Sequence, residues 1–372
     1  MLTSNRGAGH IGPLVPFAHA FLRAGDDVLV AAPLGARALI ERAGLPFFGV
    51  ADPPQDEIDA VTAPFGNLTH EEQGVRMMRD VFAGIDVRAS LPRMLRAVAE
   101  YRPDVVLGEP TEYAGLLAAE RFGVAHGRIG IMATATAIRS LPVVAPVLDG
   151  HREALGLPAD PLGRRISGSP YLTVFPEALE DPGNRFDVLR FREPPVEARP
   201  SEPIYVTYGS VLPGMPYFPQ VFRATIDALG ELGLPTLFTV GTEVDVAALG
   251  PVPDHVRVER WVPQAAVMPS AAVLVGHGGS GTTRTALAAG VPQVIFPAFA
   301  DQPHNAARVA ELGAGIALES LDGLAGALRT VLAEPSYRAA AERVAAEMAA
   351  YPLVDEAPAI LRALLEDATL AA

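Results

Sequence analysis

A buried strand, a glycine-rich turn and the start of a helix follow one another between residues 273 and 289. Residues 273–275, Val-Leu-Val, form a short apolar run with β-branched valines, which predicts a parallel strand buried on both faces. The turn at residues 276–283, Gly-His-Gly-Gly-Ser-Gly-Thr-Thr, leads into a segment of helical composition that stops at Gly290-Val291-Pro292. Glycines let backbone N–H groups approach an anion closely, and the N-terminus of a helix carries positive partial charge. The segment therefore predicts a binding site for a diphosphate.

Strand and helix signals alternate through both halves of the chain. Predicted strands at residues 27–32, 105–108, 204–208 and 236–240 are separated by segments of helical pattern. A proline-rich, charged segment at residues 194–203 lies between the halves and is predicted to be a linker. Because strand–helix–strand units form parallel sheets with crossover helices, we expect two α/β domains with a ligand-binding cleft.

Further motif residues lie on both sides of the glycine-rich turn. Trp261-Val262-Pro263-Gln264 precedes it and Asp301-Gln302 follows it. This order of residues between 261 and 306 resembles the donor-sugar signature of family 1 glycosyltransferases, enzymes that transfer sugars to natural products and other small lipophilic acceptors. The resemblance covers nearly the whole chain. It implies the α/β GT-B fold, in which two Rossmann-like α/β/α domains face each other across a cleft.

The resemblance also implies what each part of the chain does. Residues 1–193 would form the acceptor-binding domain, 194–203 the linker, 204–350 the nucleotide-sugar-binding domain, and 351–372 a helix that returns to the first domain. The implied donor site comprises Ser210, Trp261, Val262, Gln264, His277, Gly279, Ser280, Gly281, Thr282, Asp301 and Gln302.

Individual roles in the implied donor site follow from the same resemblance. Trp261 would stack on the nucleotide base, and His277 would hold the diphosphate together with the amides of residues 279–282. Asp301 and Gln302 would bind sugar hydroxyls. Taken singly, Trp261 also suits a core aromatic and Asp301 an ordinary loop carboxylate.

One position departs from the family pattern and bears on the nucleotide. Members that use uridine diphosphate sugars commonly carry a glutamate eight residues after the motif histidine, where it accepts hydrogen bonds from the ribose; this chain has Thr285. A carboxylate aimed at a missing 2′-hydroxyl would be left partly unpaired, at a cost of about 1–3 kcal/mol. Thr285 therefore favours a deoxythymidine diphosphate (dTDP) sugar over a uridine diphosphate (UDP) sugar.

The candidate catalytic residues lie in the first half. Gly9-His10-Ile11-Gly12-Pro13 is similar to the family's Gly-His-x-x-Pro element, and the resemblance makes His10 the general base. This is sensible chemistry, because the acceptor hydroxyl must lose a proton and imidazole titrates near neutral pH. A carboxylate should orient such a base. Glu109, at the carboxyl end of the predicted strand 105–108, is the first candidate, and Glu112 is the second.

Residues 7–12 also match G-x-G-x-x-G, which raises the alternative of an NAD-dependent oxidoreductase. That alternative requires an acidic residue at the end of the second strand. The predicted strand instead ends in Pro33-Leu34, and Asp26 and Asp27 precede it. The oxidoreductase is therefore a remote alternative.

Apolar side chains in two segments are candidates for an acceptor pocket. Residues 51–100 have a less regular pattern than the rest of the chain, and methionine adapts its shape to lipophilic ligands. The same side chains could instead pack against the sheet. The candidate acceptor residues are Phe65, Met77, Met78, Phe82, Met132 and Ile138, with Ile85, Met94 and Leu141 in the wider set.

Composition excludes several other functions. The 372 residues contain no cysteine, and all 29 Lys+Arg positions are arginine, so disulfides, thiolate metal sites, a P-loop lysine and a Schiff-base lysine are absent. The net charge of −14 disfavours nucleic acid as a partner. We see no membrane span, secretory signal, Asp-x-Asp motif or metal-ligand spacing, and we expect a cytoplasmic protein. Residues 1–5 leave room for only a short first strand, unless the true start lies upstream.

These observations predict an inverting glycosyltransferase that needs neither a metal nor another cofactor. Its co-substrates would be a dTDP-hexose or dTDP-deoxyhexose and a hydroxyl of a lipophilic natural product. The alternatives are a sugar-nucleotide epimerase with the same fold and a catalytically silent homologue that activates a partner. The sequence leaves open the identity of the sugar and of the acceptor, attack by oxygen or by carbon, and the choice between monomer and homodimer.

Overall fold

The computed structural model describes residues 1–183, 186–197, 199, 202–212, 219–242 and 244–370, and these form two compact units. Unit 1 comprises Met1–Phe175, Pro182–Glu193 and Pro352–Ala372, and unit 2 comprises Pro176–Asp181 and Pro194–Tyr351. Residues 198, 200 and 201 of the predicted linker lie outside the described residues.

Unit 1 is built on a seven-stranded parallel sheet in the order β3-β2-β1-β4-β5-β6-β7. The two residues of β1 pair with β2 on one side and with β4 on the other. The strands are β1 (Leu2–Thr3), β2 (Val30–Pro33), β3 (Phe47–Val50), β4 (Val105–Gly108), β5 (Ala125–Ile129), β6 (Tyr171–Thr173) and β7 (Leu189–Arg190).

Helices connect these strands, and the last helix of the chain (α17, Ala357–Leu370) packs against the helix at Leu14–Arg23 (α2) within the same unit. The helices of unit 1 are α1 (Ala8–Ile11), α2 (Leu14–Arg23), α3 (Arg37–Arg42), α4 (Gln55–Thr62), α5 (His70–Arg76), α6 (Val87–Tyr101), α7 (Ala114–Phe122), α8 (Thr134–Arg139), α9 (Leu141–Ala154), α10 (Arg164–Ser167) and α17 (Ala357–Leu370).

Unit 2 repeats this architecture with a six-stranded parallel sheet in the order β10-β9-β8-β11-β12-β13. Its strands are β8 (Ile204–Thr207), β9 (Thr236–Thr239), β10 (Val256–Glu259), β11 (Val273–Gly276), β12 (Gln293–Ile295) and β13 (Gly315–Ala317). Its helices are α11 (Gln220–Leu232), α12 (Gln264–Val267), α13 (Ser280–Ala288), α14 (Gln302–Glu311), α15 (Leu324–Ala333) and α16 (Pro335–Ala349).

The predicted strands and the crossover helices are confirmed. The predicted strand at 105–108 coincides with β4, and the one at 273–275 lies within β11. Every residue of β8, β9 and β11 is buried, as expected for central strands of a parallel sheet that helices cover on both faces. None of the helices in the described ranges is long and apolar enough to cross a membrane.

The segment with the less regular pattern, residues 51–100, is largely helical. A capping box, in which Thr69 and Glu72 bond each other's backbone N–H groups, begins α5. A π-helix, Met77–Asp86, then joins α5 to α6. The wider π turn replaces the 3.6-residue repeat of an α-helix. The mixed apolar spacing of the sequence therefore marked a different helix type and not a loop.

One short segment of the predicted N-terminal domain, Pro176–Asp181, groups with unit 2 and not with unit 1. Its backbone is held there by side chains of α14 and α16. The amide of Ala178 bonds Glu347, and the carbonyl of Leu179 lies 3.2 Å from Nε2 of His304.

Candidate active site

In each unit the strand order reverses beside the first strand, at the position where open α/β sheets bind ligands. In unit 1, Thr3 of β1 is aligned with Gly108 of β4. In unit 2, Thr207 of β8 is aligned with Gly276 of β11. The segments that follow these four strand ends carry most of the predicted catalytic and diphosphate-binding residues.

His10 and Glu109 meet at the reversal point of unit 1. The Nδ1 atom of His10 lies 2.9 Å from Oε1 of Glu109. The His10 side chain is 24% exposed while that of Glu109 is 0% exposed, so only the histidine is open to a ligand. His10 lies in the short helix α1, and Glu109 follows the last residue of β4. A carboxylate at Nδ1 fixes the proton there, which makes Nε2 the acceptor atom of the ring.

The Glu109 carboxylate is itself held by neighbouring groups. Thr111 donates from its hydroxyl to Oε1 at 2.7 Å and from its backbone N–H to Oε2 at 2.7 Å. The Asn5 side chain donates to the Thr111 hydroxyl at 3.0 Å and to its carbonyl at 3.1 Å. Arg128, a buried residue of β5, donates to the carbonyls of Glu109 and Glu112 at 3.1 and 2.9 Å.

The two carboxyl groups respond to burial in opposite ways. Burial alone would raise the pKa of Glu109, but the charge of His10 and hydrogen bonds from His10 and Thr111 outweigh it, and the pKa is lowered. Burial raises the pKa of Glu112, against the hydrogen bonds from Thr3 and Gly115. Since the Glu112 carboxyl bonds Thr3 and Gly115, the structure places Glu109 beside His10 and Glu112 away from it.

The candidate acceptor residues divide into a half-buried set and a buried set. Met78, Phe82 and Ile138 pack partly buried against one apolar cluster, which includes Leu141, and Met77 packs with Phe82 against another. Phe65 and Met132 are also half-buried. Ile85, Met94 and Leu141 of the wider set are buried in the core, which leaves them little surface for a ligand.

The π-helix brings an aromatic ring to His10. The ring centroids of Phe82 and His10 are 5.8 Å apart. Asp86 follows four residues later and is half-buried, and its Oδ1 has no hydrogen-bond partner among the described residues. Burial raises the pKa of Asp86 to about 7, and the charges of Arg6, Glu109, His10 and Glu112 modify this value. The sequence analysis did not single out Asp86.

His277 and two glycines form the turn at the reversal point of unit 2. A Cβ atom on Gly209 would lie 2.8 Å from Nε2 of His277, and a Cβ on Gly279 would lie 2.4 Å from the same atom. Only glycine therefore lets the ring occupy this position. Burial lowers the pKa of His277 to about 4, and the charge of Asp301 and the backbone of Thr207 offset only part of this. His277 is thus neutral at pH 7 and carries one ring N–H.

The N-terminus of α13 adjoins His277. Its N-cap residue, Gly279, has no side chain that could bond the free N–H groups of the first turn. Those amides are therefore available to an anion. The Thr282 hydroxyl donates to Oε1 of Gln264 at 3.2 Å, which ties the start of α12 to the first turn of α13. The Ser280 hydroxyl donates to Oδ2 of Asp301.

The other predicted donor residues differ in their surroundings. Trp261 is 68% exposed, so the alternative of a core aromatic is wrong. Gln302 is buried, and its Oε1 accepts hydrogen bonds from the amides of Ala298 and Phe299 at 2.8 and 3.1 Å. Ser210 is exposed in the turn after β8, and Val262 packs partly buried against a core cluster.

Comparison with known proteins decides the family. The family model for the C-terminal domain of erythromycin biosynthesis protein CIII-like proteins matches residues 223–364. L-demethylnoviosyl transferase of Streptomyces niveus is 33% identical over 95% of this chain and 94% of its own length. Elloramycin glycosyltransferase of Streptomyces olivaceus is 34% identical over 97% and 94%. The chain belongs to the antibiotic glycosyltransferases. A crystal structure of the glycosyltransferase VinC with dTDP matches with a TM-score of 0.79 and 27% identity, over 98% of this chain and 99% of VinC.

Family membership confirms the GT-B fold and a glycosyltransferase activity, and it leaves no support for the oxidoreductase. Sequence reasoning missed several residues of this glycosyltransferase that hold the predicted ones in place. Thr111 and Asn305 lie close in sequence to the predicted Glu109 and Asp301, so inspection of the neighbouring polar residues could have found them. No signal marked Arg128, because a charged residue in a strand usually faces solvent.

Proposed function

We propose that this glycosyltransferase uses an inverting, metal-independent reaction with His10 as general base. It moves a hexose or deoxyhexose from a dTDP-sugar to a hydroxyl of a lipophilic natural product. The observation that carries the proposal is the 2.9 Å contact between Nδ1 of a partly exposed His10 and the buried carboxylate of Glu109. Such a pair fixes the tautomer of the base and stabilises the imidazolium that forms.

The reaction is a single displacement. The acceptor hydroxyl gives its proton to Nε2 of His10 while its oxygen forms a bond to the anomeric carbon. The bond from that carbon to the diphosphate oxygen breaks, and attack from the opposite face inverts the configuration. Negative charge develops on the leaving diphosphate, where the N–H of neutral His277 and the first-turn amides of α13 receive it.

Two observations support dTDP as the nucleotide. The Thr285 hydroxyl donates to the carbonyl of Gly281 at 2.8 Å within α13, so this position presents no carboxylate to a ribose. The relative VinC was crystallised with dTDP. The names of the curated relatives support an antibiotic or a similar lipophilic natural product as the acceptor.

Ligand-induced stabilisation tests the donor assignment. A ligand at a hundred times its Kd stabilises the folded protein by about 2.7 kcal/mol, so dTDP should raise the melting temperature more than UDP or NAD. Thr285→Glu adds the carboxylate that suits a ribose and should shift the preference towards UDP. A wild-type preference for UDP would overturn the donor choice, and stabilisation by NAD alone would overturn the donor site.

Substitution of His10 tests the base. His10→Ala should lower turnover on an alcohol acceptor by roughly 10²–10⁴-fold and leave dTDP affinity nearly unchanged. A nitrophenol that is already ionised at the assay pH needs no base, so its glycosylation should fall much less. Glu109→Ala should cost less than His10→Ala, and the double variant should lose little more, because the pair acts as a unit. Near-normal turnover of His10→Ala on the alcohol would remove His10 from the mechanism.

A further inference from the structure

Asn305 is completely buried in α14 and bonds three separate parts of the predicted donor site. Its Nδ2 lies 2.8 Å from the carbonyl of Gly278, 3.1 Å from the hydroxyl of Ser280 and 3.2 Å from Oδ2 of Asp301. The Ser280 hydroxyl also donates to Oδ2 of Asp301. One side chain therefore links the glycine-rich turn, the start of α13 and the predicted sugar-binding carboxylate.

The bond to Gly278 fixes the direction of a neighbouring amide. In a planar trans peptide the carbonyl and the following N–H point in opposite directions. Because the Gly278 carbonyl points at Asn305, the N–H of Gly279 points away from α14. Gly278 has φ +84°, and because glycine samples many backbone conformations, the bond from Asn305 restrains a peptide that could otherwise turn.

The bonds to Asp301 fix its two oxygens in different roles. Oδ2 accepts from Ser280 and from Asn305, which leaves Oδ1 as the oxygen for another donor. A carboxylate held at one oxygen has lost much of its rotational freedom before a ligand arrives, which lowers the entropic cost of binding. The same Asn305 group thus orients a diphosphate-binding amide and a sugar-binding oxygen.

We propose that Asn305 is a positioning residue of the donor site, which sets the diphosphate-binding turn and the Asp301 carboxylate relative to each other. The inference rests on the proposed donor site. A buried amide is needed here because an aspartate would place a second negative charge beside Asp301 and would supply no N–H. The Oδ1 of Asn305 has no hydrogen-bond partner among the described residues, so the side-chain contacts given above are all made by Nδ2.

The test is nucleotide binding by calorimetry, which requires no acceptor. Asn305→Ala should weaken dTDP binding roughly tenfold, as expected for the loss of a buried positioning bond. Binding of dTDP-glucose should weaken further, because Oδ2 of Asp301 then keeps only the hydrogen bond from Ser280. The matched control is Gln293→Ala. Gln293 is an equally buried amide of unit 2 that bonds the carbonyl of Thr283 at 3.2 Å, and its loss should leave both affinities within about twofold.

The pH dependence of dTDP binding by Asn305→Asp distinguishes a positioning role from a purely structural one. A protonated aspartate can donate one hydrogen bond, whereas the ionised form repels Asp301. The ratio of variant to wild-type dTDP affinity, which cancels the titration of the nucleotide, should therefore recover several-fold as the pH falls from 8 towards 5. Ser280→Ala, which keeps the bond to Gly278, serves if the Asn305 variants do not fold, and it should weaken dTDP-glucose more than dTDP.

The outcomes separate this inference from the donor assignment. If the wild type binds UDP and not dTDP, the donor assignment fails and the same comparison is made with UDP. Affinities of Asn305→Ala equal to those of the wild type, or losses matched by Gln293→Ala, would overturn the positioning role. A pH-independent ratio for Asn305→Asp would do the same.

Discussion

Replacement of Asp86 by asparagine should stabilise the enzyme at alkaline pH. Asp86 is half-buried on the π-helix, and its Oδ1 makes no hydrogen bond with the described residues, so asparagine removes a charge at little cost in bonding. Burial raises its pKa from 3.8 to about 7. Between those values the folded protein holds a proton that the unfolded chain has released. The free energy of unfolding of the wild type therefore falls as the pH rises from about 4 to about 7. The Asp86→Asn variant does not show this decrease, because it has no carboxyl group at position 86.

The size of the effect follows from the pKa difference. One pKa unit corresponds to about 1.4 kcal/mol, so a rise of about three units costs the wild type about 4 kcal/mol once Asp86 is fully ionised. Part of that loss has already occurred at pH 5, and water that reaches the half-buried side chain reduces the rest. We expect the stability difference between variant and wild type to grow by about 2 kcal/mol from pH 5 to pH 8. That is roughly 4–8 °C in melting temperature.

The assay is thermal or urea unfolding of both proteins across this pH range, with the difference taken at each pH so that other titrations cancel. Asp80→Asn is the matched control on the same π-helix. Asp80 is paired with Arg79, which lowers its pKa. Asp80→Asn should therefore be less stable than the wild type above about pH 4, and this loss of stability should shrink as the pH falls below that value. A difference for Asp86→Asn that stays constant or narrows with rising pH would refute the reasoning.

Three further predictions follow from the site. Glu109→Gln should be less stable than the wild type at pH 7 and approach it in acid, because the folded protein lowers the pKa of Glu109. Glu112→Gln should become more stable relative to the wild type as the pH rises, because the folded protein raises the pKa of Glu112. Unfolding curves measured against pH distinguish the two. Gly279→Ala should displace the His277 ring, because its Cβ would lie 2.4 Å from Nε2, and should weaken dTDP binding at least tenfold in calorimetry; Gly326→Ala, whose Cβ meets no atom within 4 Å, should not. Turnover should persist in excess chelator, because the proposed leaving-group contacts are N–H groups; loss of turnover that magnesium or manganese restores would contradict this.

The parts of the site that the sequence predicted are those that lie directly after strands. The apolar run of β4 ends at Gly108, so Glu109 is placed at the carboxyl edge of the sheet, and the Val-Leu-Val run before His277 places that histidine in the same way. A short continuous apolar run followed by a polar residue is a local signal. Strand ends that are neighbours in a parallel sheet then bring distant segments together, which explains how His10 and Glu109 could be paired without a structure.

The parts that the sequence did not predict depend on contacts between distant segments. Arg128 is tolerated within β5 because it donates hydrogen bonds to the backbone carbonyls of Glu109 and Glu112. The sequence of β5 itself gives no sign of these two carbonyls. The α-helical periodicity of 3.6 residues does not predict the π-helix at Met77–Asp86, because the π-helical repeat is wider. Pro176–Asp181 was assigned to the wrong unit because side chains of α14 and α16 hold its backbone.

The two sheets share one strand order and yet build opposite electrostatic sites at their reversal points. In unit 1 the segment after β1 is a four-residue helix, too short for a strong helix dipole, and the chemistry rests on side chains: a histidine on a buried carboxylate. In unit 2 the segment after β11 is a glycine turn into the nine-residue helix α13, and the chemistry rests on backbone N–H groups beside a neutral histidine. A carboxylate-rich site repels a diphosphate and suits a neutral hydroxyl, whereas an uncapped helix end attracts the diphosphate. In the proposed reaction, local loop sequence, and not the fold, thus assigns acceptor activation to unit 1 and leaving-group stabilisation to unit 2.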